Sequence, residues 1–109
     1  MNVADIYKKL YRIRRCEEKI ATLYPTNVIT TPVHSSCGQE AISVGVCQAL
    51  EKTDIAFGTY RSHALYIAKT QGDQHALNQF FAELYGKKAG CCSGKGGSMD
   101  VINTEWGLM

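Results

Sequence analysis

The chain has 109 residues, 45% of them hydrophobic, and a net charge of +2, enough for one ordinary domain with a core of its own. This composition excludes a disordered chain, and no apolar run approaches the roughly 20 residues a membrane-spanning helix needs. The small positive excess is too slight to mark a nucleic-acid surface.

The first ten residues, MNVADIYKKL, carry an acid in the first turn and lack an apolar segment followed by a small-residue cleavage site. They read as untargeted, so a cytoplasmic protein is expected. Over residues 3–24, Val3, Ile6, Leu10, Ile13, Ile20 and Leu23 recur at three- and four-residue steps, with a longer gap around Glu17. This spacing predicts an amphipathic helix, capped by Asn2 with Asp5 three residues on and stopped by Pro25. The basic cluster Lys8, Lys9, Arg12, Arg14 and Arg15 lies mainly off the apolar stripe and reads as a solvated face.

Residues 26–37, TNVITTPVHSSC, are rich in Thr, Ser and β-branched types and broken by Pro32, so they read as extended or loop. A second helix is expected from about Gly38 to Lys52, rich in small residues that allow a neighbour to approach closely. Glu40 falls in its first turn, where a carboxylate favours the positive end of the dipole. DIAFGT, residues 54–59, is a short apolar run between turn signals and predicts a buried strand. YRSHALYIAKTQG then reads as a short helix. Asp73 caps the next, in which Leu77, Phe80, Phe81, Leu84 and Tyr85 form an apolar face and Gly86 closes the C-terminus. Helices alternating with a short strand suggest an incomplete α/β layer.

The stretch GKKAGCCSGKGGSMD, residues 86–100, invites several kinds of chemistry. A phosphate-binding G-x-x-x-x-G-K loop needs a following Ser or Thr; here the spacing is one residue short and Gly96 follows Lys95. The dinucleotide pattern G-x-G-x-x-G should follow a strand and open a helix, but this loop follows a helix and lacks the third glycine. Cys91 and Cys92 are adjacent, a poor geometry for one metal, with no second pair to complete a zinc site. What survives is a glycine-rich turn that lets backbone pass close to a ligand or another subunit. The five cysteines (16, 37, 47, 91 and 92) are an irregular set that reads as reduced thiols. Cys37 before a helix start, with His34 nearby, raises a cysteine nucleophile, but no orienting partner can be named.

Taken in order, LYRIRRCEEKIATLYP, HSSCGQEAISVGVCQAL, DIAFGTYRSHALYIAKTQ and FFAELYGKKAGCCSGKGGSMD resemble the N-terminal part of the alpha subunit of thiamine-diphosphate-dependent 2-oxo acid dehydrogenases: the pyruvate, branched-chain 2-oxo acid and acetoin dehydrogenase first components. The resemblance runs from about residue 8 to the end. It implies an α/β chain that is the N-terminal portion of a thiamine-diphosphate-binding fold, helix-rich with a short buried strand and an incomplete parallel sheet. Residues 1–25 would be an N-terminal helix and 26–109 the start of the cofactor-binding domain. It further implies thiamine diphosphate and magnesium as cofactors, with a beta subunit, a lipoyl-carrying acyltransferase and a small 2-oxo acid as partners; neither nucleic acid nor membrane is expected.

On the same resemblance, Arg61 corresponds to the arginine that contacts the cofactor diphosphate, where a planar charged fork suits phosphate oxygens. Tyr60 corresponds to the tyrosine lining that site. His34 corresponds to the active-site histidine near the bound 2-oxo acid, where a donor would stabilise a carboxylate or oxyanion. His63 is either a neighbour of substrate or cofactor or a hydrogen-bonded structural histidine; His75 is expected on the surface. The magnesium motif, G-D-G with a downstream Asn, does not occur, so the metal ligands would lie beyond this chain. Together with the apolar ending NTEWGLM, this implies a fragment of a longer subunit, inactive alone. One departure stands out: the family pattern has His after G-G-S-M, and this chain has Asp100. A relative without a lipoyl carrier, such as an acetoin-type enzyme, and a noncatalytic interaction module are the alternatives.

Overall fold

A computed structural model describes residues 2–109. The first helix, α1 (Val3–Leu23), is the longest element, about 31 Å at the ordinary helical rise, in a molecule 39 Å along its longest axis. Its start is local chemistry: the Asp5 N–H donates to Asn2 Oδ1 at 2.8 Å, satisfying a first-turn donor and placing an acid at the positive end of the dipole. Pro25 ends it through a 3₁₀ turn, Tyr24–Thr26, and Asn27 then takes a left-handed conformation (φ 66°). The apolar stripe is narrower than its spacing predicts. Ile13 and Ile20 are fully buried while Val3 is 81% exposed. The gap in the stripe is filled by Glu17, which turns inward between them.

Residues 28–39 carry no helix but bury Ile29. α2 (Glu40–Cys47) is shorter than the expected span to Lys52. After Cys47 the bonds tighten to three-residue spacing, Ala49 N–H to Val46 O and Leu50 N–H to Cys47 O, and the helix unwinds into turns. α3 (His63–Lys69) packs against both α2 and α1.

α4 (Gln74–Leu84) has both expected boundaries. The Ala76 N–H donates to Asp73 Oδ2 at 3.0 Å. At the other end Gly86 is left-handed (φ 70°), the Gly86 N–H reaches Glu83 O and the Lys87 N–H reaches Ala82 O. This paired arrangement satisfies the last carbonyls and favours glycine at that position. Phe80 is fully buried and Phe81 packs half-buried beside it.

The strand expected over residues 54–59 does not form. Among the described residues there are isolated bridges in place of strands, one of them parallel, between Ala56 and Leu108. The Ala56 N–H donates to Gly107 O and the Met109 N–H to Ala56 O. On either side Ile55 is 60% and Phe57 77% exposed, so the segment is neither a ladder nor buried. A strand needs neighbours along its whole length, and this one meets a partner at one residue. The expected incomplete parallel sheet is therefore reduced to a single parallel contact in a helix-rich chain.

The C-terminal residues close over the helices. Short 3₁₀ turns at Gly97–Met99 and Thr104–Trp106 bring Val101 and Leu108 onto the core formed by Ile13, Ile20, Val44, Tyr66, Ile67, Phe80 and Leu84. Lys69, at the end of α3, is buried and donates to the carbonyls of Glu51 (3.0 Å), Lys52 (3.0 Å) and Trp106 (2.5 Å). All three ammonium donors are used, tying the turn after α2 to the final 3₁₀ turn.

Candidate functional site

His63 opens α3 and is fully buried. Its Nδ1 lies 2.7 Å from Glu17 Oε1 and its Nε2 2.7 Å from Ser98 Oγ. The other oxygen of Glu17 accepts from Ser35 Oγ at 2.8 Å and from the Ser36 N–H. Burial pushes the Glu17 carboxyl upward, but the His63 ring and the two serine donors outweigh it and hold it below the usual carboxylate range. Glu17, His63 and Ser98 have the connectivity of an acyl-transfer triad. Ser98 is 0% exposed, however, and a hydroxyl without access has no substrate to attack. The chain of bonds joins α1, α3 and the glycine-rich segment through the interior, and the structural alternative for His63 accounts for both ring nitrogens.

The other three sequence-selected residues come together where two loops meet. The His34 ring lies against that of Tyr60, centroids 4.4 Å apart at 59°. Arg61 Nη1 donates to the Ser35 carbonyl, and the Arg61 carbonyl accepts from Ser36 Oγ at 3.3 Å. The remaining N–H groups of the half-buried guanidinium have no protein partner among the described residues. His34 Nδ1 is a buried nitrogen with no hydrogen-bond partner, an arrangement that costs free energy unless something else satisfies it. Tyr60 and Arg61, being consecutive, face different recesses. Tyr60, half-exposed, lines a cavity of about 390 Å³ with Thr59, Met99, Asp100 and Met109. Arg61 lines a smaller one of about 150 Å³ with Ser36, Gln39 and Ser43. Asp100, which the resemblance marks as a departure, thus shares a cavity wall with Tyr60.

The glycine-rich segment is a cradle for an anion, and the anion is the chain's own. Glu83, fully buried on α4, accepts from the backbone N–H groups of Cys92 (2.5 Å) and Gly94 (3.0 Å) on one oxygen and of Gly96 (2.9 Å) and Gly97 (3.0 Å) on the other. Burial raises the pKa of this carboxyl, but the four donors together overcome it and leave Glu83 below its usual range. Successive N–H groups converging on one point form a nest for negative charge. Gly97 adopts φ 66° there, and a Cβ on it would collide with the Thr31 hydroxyl.

The remaining candidates separate. Cys37 is exposed and all five cysteines are free thiols; with no partner on His34 Nδ1, a Cys37–His34 pair is not formed through that nitrogen. Burial pushes the Cys91 thiol up to about 11. His75 is exposed. Among the described residues no group of three His, Cys, Asp or Glu side chains could hold a metal ion, and no helix is long and apolar enough to cross a membrane. Glu40 accepts from Arg14, which holds its carboxyl below the usual range, while Arg14 itself stays on the exposed face of α1. Sequence reasoning missed Glu17, Glu83 and Ser98. The one available signal was an acid standing inside an apolar stripe, at position 17 of α1 and position 83 of α4.

A family model described as "Dehydrogenase E1 component" matches residues 8–107. The alpha subunit of acetoin:2,6-dichlorophenolindophenol oxidoreductase from Bacillus subtilis (strain 168) is 38% identical over 104 residues, covering 95% of this chain and 30% of that protein. The mitochondrial pyruvate dehydrogenase E1 component subunit alpha-1 from Arabidopsis thaliana is 35% identical over 101 residues, covering 93% and 25%. The mitochondrial pyruvate dehydrogenase E1 component subunit alpha from Kluyveromyces lactis is 39% identical over 100 residues, covering 92% and 23%. The chain thus spans 30% or less of the length of these relatives. With the family match extending over nearly all of its residues, the chain belongs to the dehydrogenase E1 component family.

Proposed function

We propose that the chain forms the diphosphate- and substrate-facing wall of the alpha subunit of a thiamine-diphosphate-dependent 2-oxo acid dehydrogenase, with residues 26–109 the start of the cofactor-binding domain. The observation that carries this reading is Arg61: a half-buried guanidinium anchored at one nitrogen by the Ser35 carbonyl, with its other donors uncommitted. It fits a diphosphate chemically, because a planar fork with a fixed stem presents parallel N–H groups to phosphate oxygens. Thiamine diphosphate, when bound, supplies the carbanion chemistry that removes carbon dioxide from a 2-oxo acid.

In this chain Arg61 would hold the diphosphate. Tyr60 would add a hydroxyl and an aromatic wall beside it. His34, held against Tyr60, would stand beside the substrate carboxylate or an oxyanion; its Nδ1 is buried, so contact through that nitrogen needs the ring to turn. His63 is sealed inside and would support the site rather than touch substrate. The magnesium ligands would come from sequence beyond this chain, the cofactor-activating carboxylate from a beta subunit, and the acyl group would pass to a lipoyl-carrying acyltransferase. A cytoplasmic location belongs to the same proposal, and mitochondrial relatives mark the alternative compartment.

A second reading is favoured by the Bacillus subtilis relative, whose name specifies acetoin and 2,6-dichlorophenolindophenol. On that reading the substrate is acetoin-like and no lipoyl carrier is needed.

The test is calorimetric titration of thiamine diphosphate with magnesium into the full-length protein with its beta partner, beside the 109-residue chain. Binding to the assembly and not to the chain alone is expected. Arg61→Ala in the assembly should weaken cofactor affinity by about tenfold or more, the loss of a charge-assisted contact; unchanged affinity would remove Arg61 from the diphosphate site.

A further inference from the structure

Glu17 fixes the two residues that hold Arg61, the side chain on which the functional reading depends. Its carboxylate, 3% exposed, accepts from Ser35 Oγ at 2.8 Å and from the Ser36 N–H, and is itself braced by His63 Nδ1 at 2.7 Å. Ser35 and Ser36 are the residues that grip Arg61. The Ser35 carbonyl takes the guanidinium Nη1, and Ser36 Oγ donates to the Arg61 carbonyl at 3.3 Å. His34 directly precedes them. A single carboxylate on α1 therefore fixes the two-residue platform that aims Arg61 and carries His34, without facing either recess that Tyr60 or Arg61 lines.

We propose that Glu17 is a positioning residue for the cofactor diphosphate, acting through Ser35 and Ser36 on the Arg61 guanidinium. This rests on the reading of Arg61 given above. The physical reason is preorganisation: a fork that must meet two phosphate oxygens loses affinity when its stem is free to move, and supporting contacts hold such groups within a few tenths of an ångström. Glu17→Gln removes the charge: its carboxamide oxygen serves Ser35 and Ser36 while its N–H₂ meets a His63 ring in the other tautomer, so the 35–36 platform keeps only neutral hydrogen bonds, about half as strong as charge-assisted ones.

The experiment is a double-mutant cycle on the full-length protein assembled with its beta partner, titrated with thiamine diphosphate and magnesium and read as binding affinity. Glu17→Gln should weaken binding by about tenfold, the usual scale for loss of a supporting contact. In the Arg61→Ala background the same change should cost less than about twofold, because coupled residues are not additive. A merely structural role would give equal losses in both backgrounds and would overturn the proposal, as would unchanged affinity in Glu17→Gln beside a clear loss in Arg61→Ala. If Arg61→Ala alone leaves affinity unchanged, the diphosphate reading fails and takes this proposal with it, an outcome distinct from the other two. Should Glu17→Gln not assemble, Ser35→Ala removes one donor to the carboxylate without disturbing a buried charge. It should weaken binding by about threefold in the wild-type background and not in Arg61→Ala; no loss in either overturns the proposal.

Discussion

The carboxylate of Glu83 and the backbone of Gly97 are 3.0 Å apart, donor to acceptor, although fourteen residues separate them in the chain. With Cys92, Gly94 and Gly96 contributing as well, the glycine-rich segment is folded around a helix side chain. Glu83→Ala leaves four converging N–H groups without an acceptor and should destabilise the chain by about 3 kcal/mol. Glu83→Gln, which keeps one acceptor oxygen, should cost about half that. Urea midpoints of the three proteins at pH 7 measure it, and equal midpoints would mean the segment holds its shape without the acid.

Acid should expose the same contacts. Glu17 and Glu83 are both more acidic folded than unfolded, so each contributes stability that is complete above an unfolded value of about 4.3 and is lost as pH falls through the lower folded value. Urea unfolding between pH 7 and 3 should show stability declining below about pH 5, with a shallower decline in Glu83→Gln. An identical acid limb in the variant would show that Glu83 is not one of the groups responsible.

Lys69 offers a prediction at the opposite pole. Its ammonium satisfies three carbonyls from two distant segments. Lys69→Met preserves the aliphatic stem but orphans those acceptors, and a loss of about 2–4 kcal/mol is expected. Hydrogen exchange should then accelerate around residues 51–54 and 104–108 ahead of α1; protection retained there would contradict the tether.

The cysteines should react in order of access. Cys37 is exposed, whereas burial pushes Cys91 up to about 11, so at pH 8 only about one Cys91 in a thousand is thiolate. Alkylation followed by mass spectrometry should label Cys37 first and Cys91 among the last. Early modification of Cys91 would mean that the segment opens readily.

What the sequence disclosed follows from the range of each interaction. Asn2, Asp73 and Gly86 act on backbone within a turn of themselves, and the expected caps of α1 and α4 are the observed ones. The span of α2 was overdrawn because nothing in residues 48–52 marks where four-residue bonding gives way. The strand at 54–59 depended on a partner that meets it only at Leu108. Glu17 was visible only as an interruption in a hydrophobic stripe, since its partners lie 18, 19 and 46 residues away. Glu83 likewise showed only as an acid inside the apolar face of α4, because the main-chain N–H groups it binds leave no mark in a side-chain pattern. His34, Tyr60 and Arg61 were singled out by resemblance; periodicity could not have shown that the loops at 34–36 and 60–61 touch.

α3 is only seven residues long, yet its two ends reach the far part of the chain. His63 meets Ser98 across 35 residues and Lys69 meets Trp106 across 37. Contacts that close loops of that size carry an added entropy cost, so the segment after Gly96 is expected to dock after the helices have formed. A polypeptide cut ahead of it would strand an imidazole and an ammonium in a half-built interior, and such a product should be a ready substrate for proteolysis.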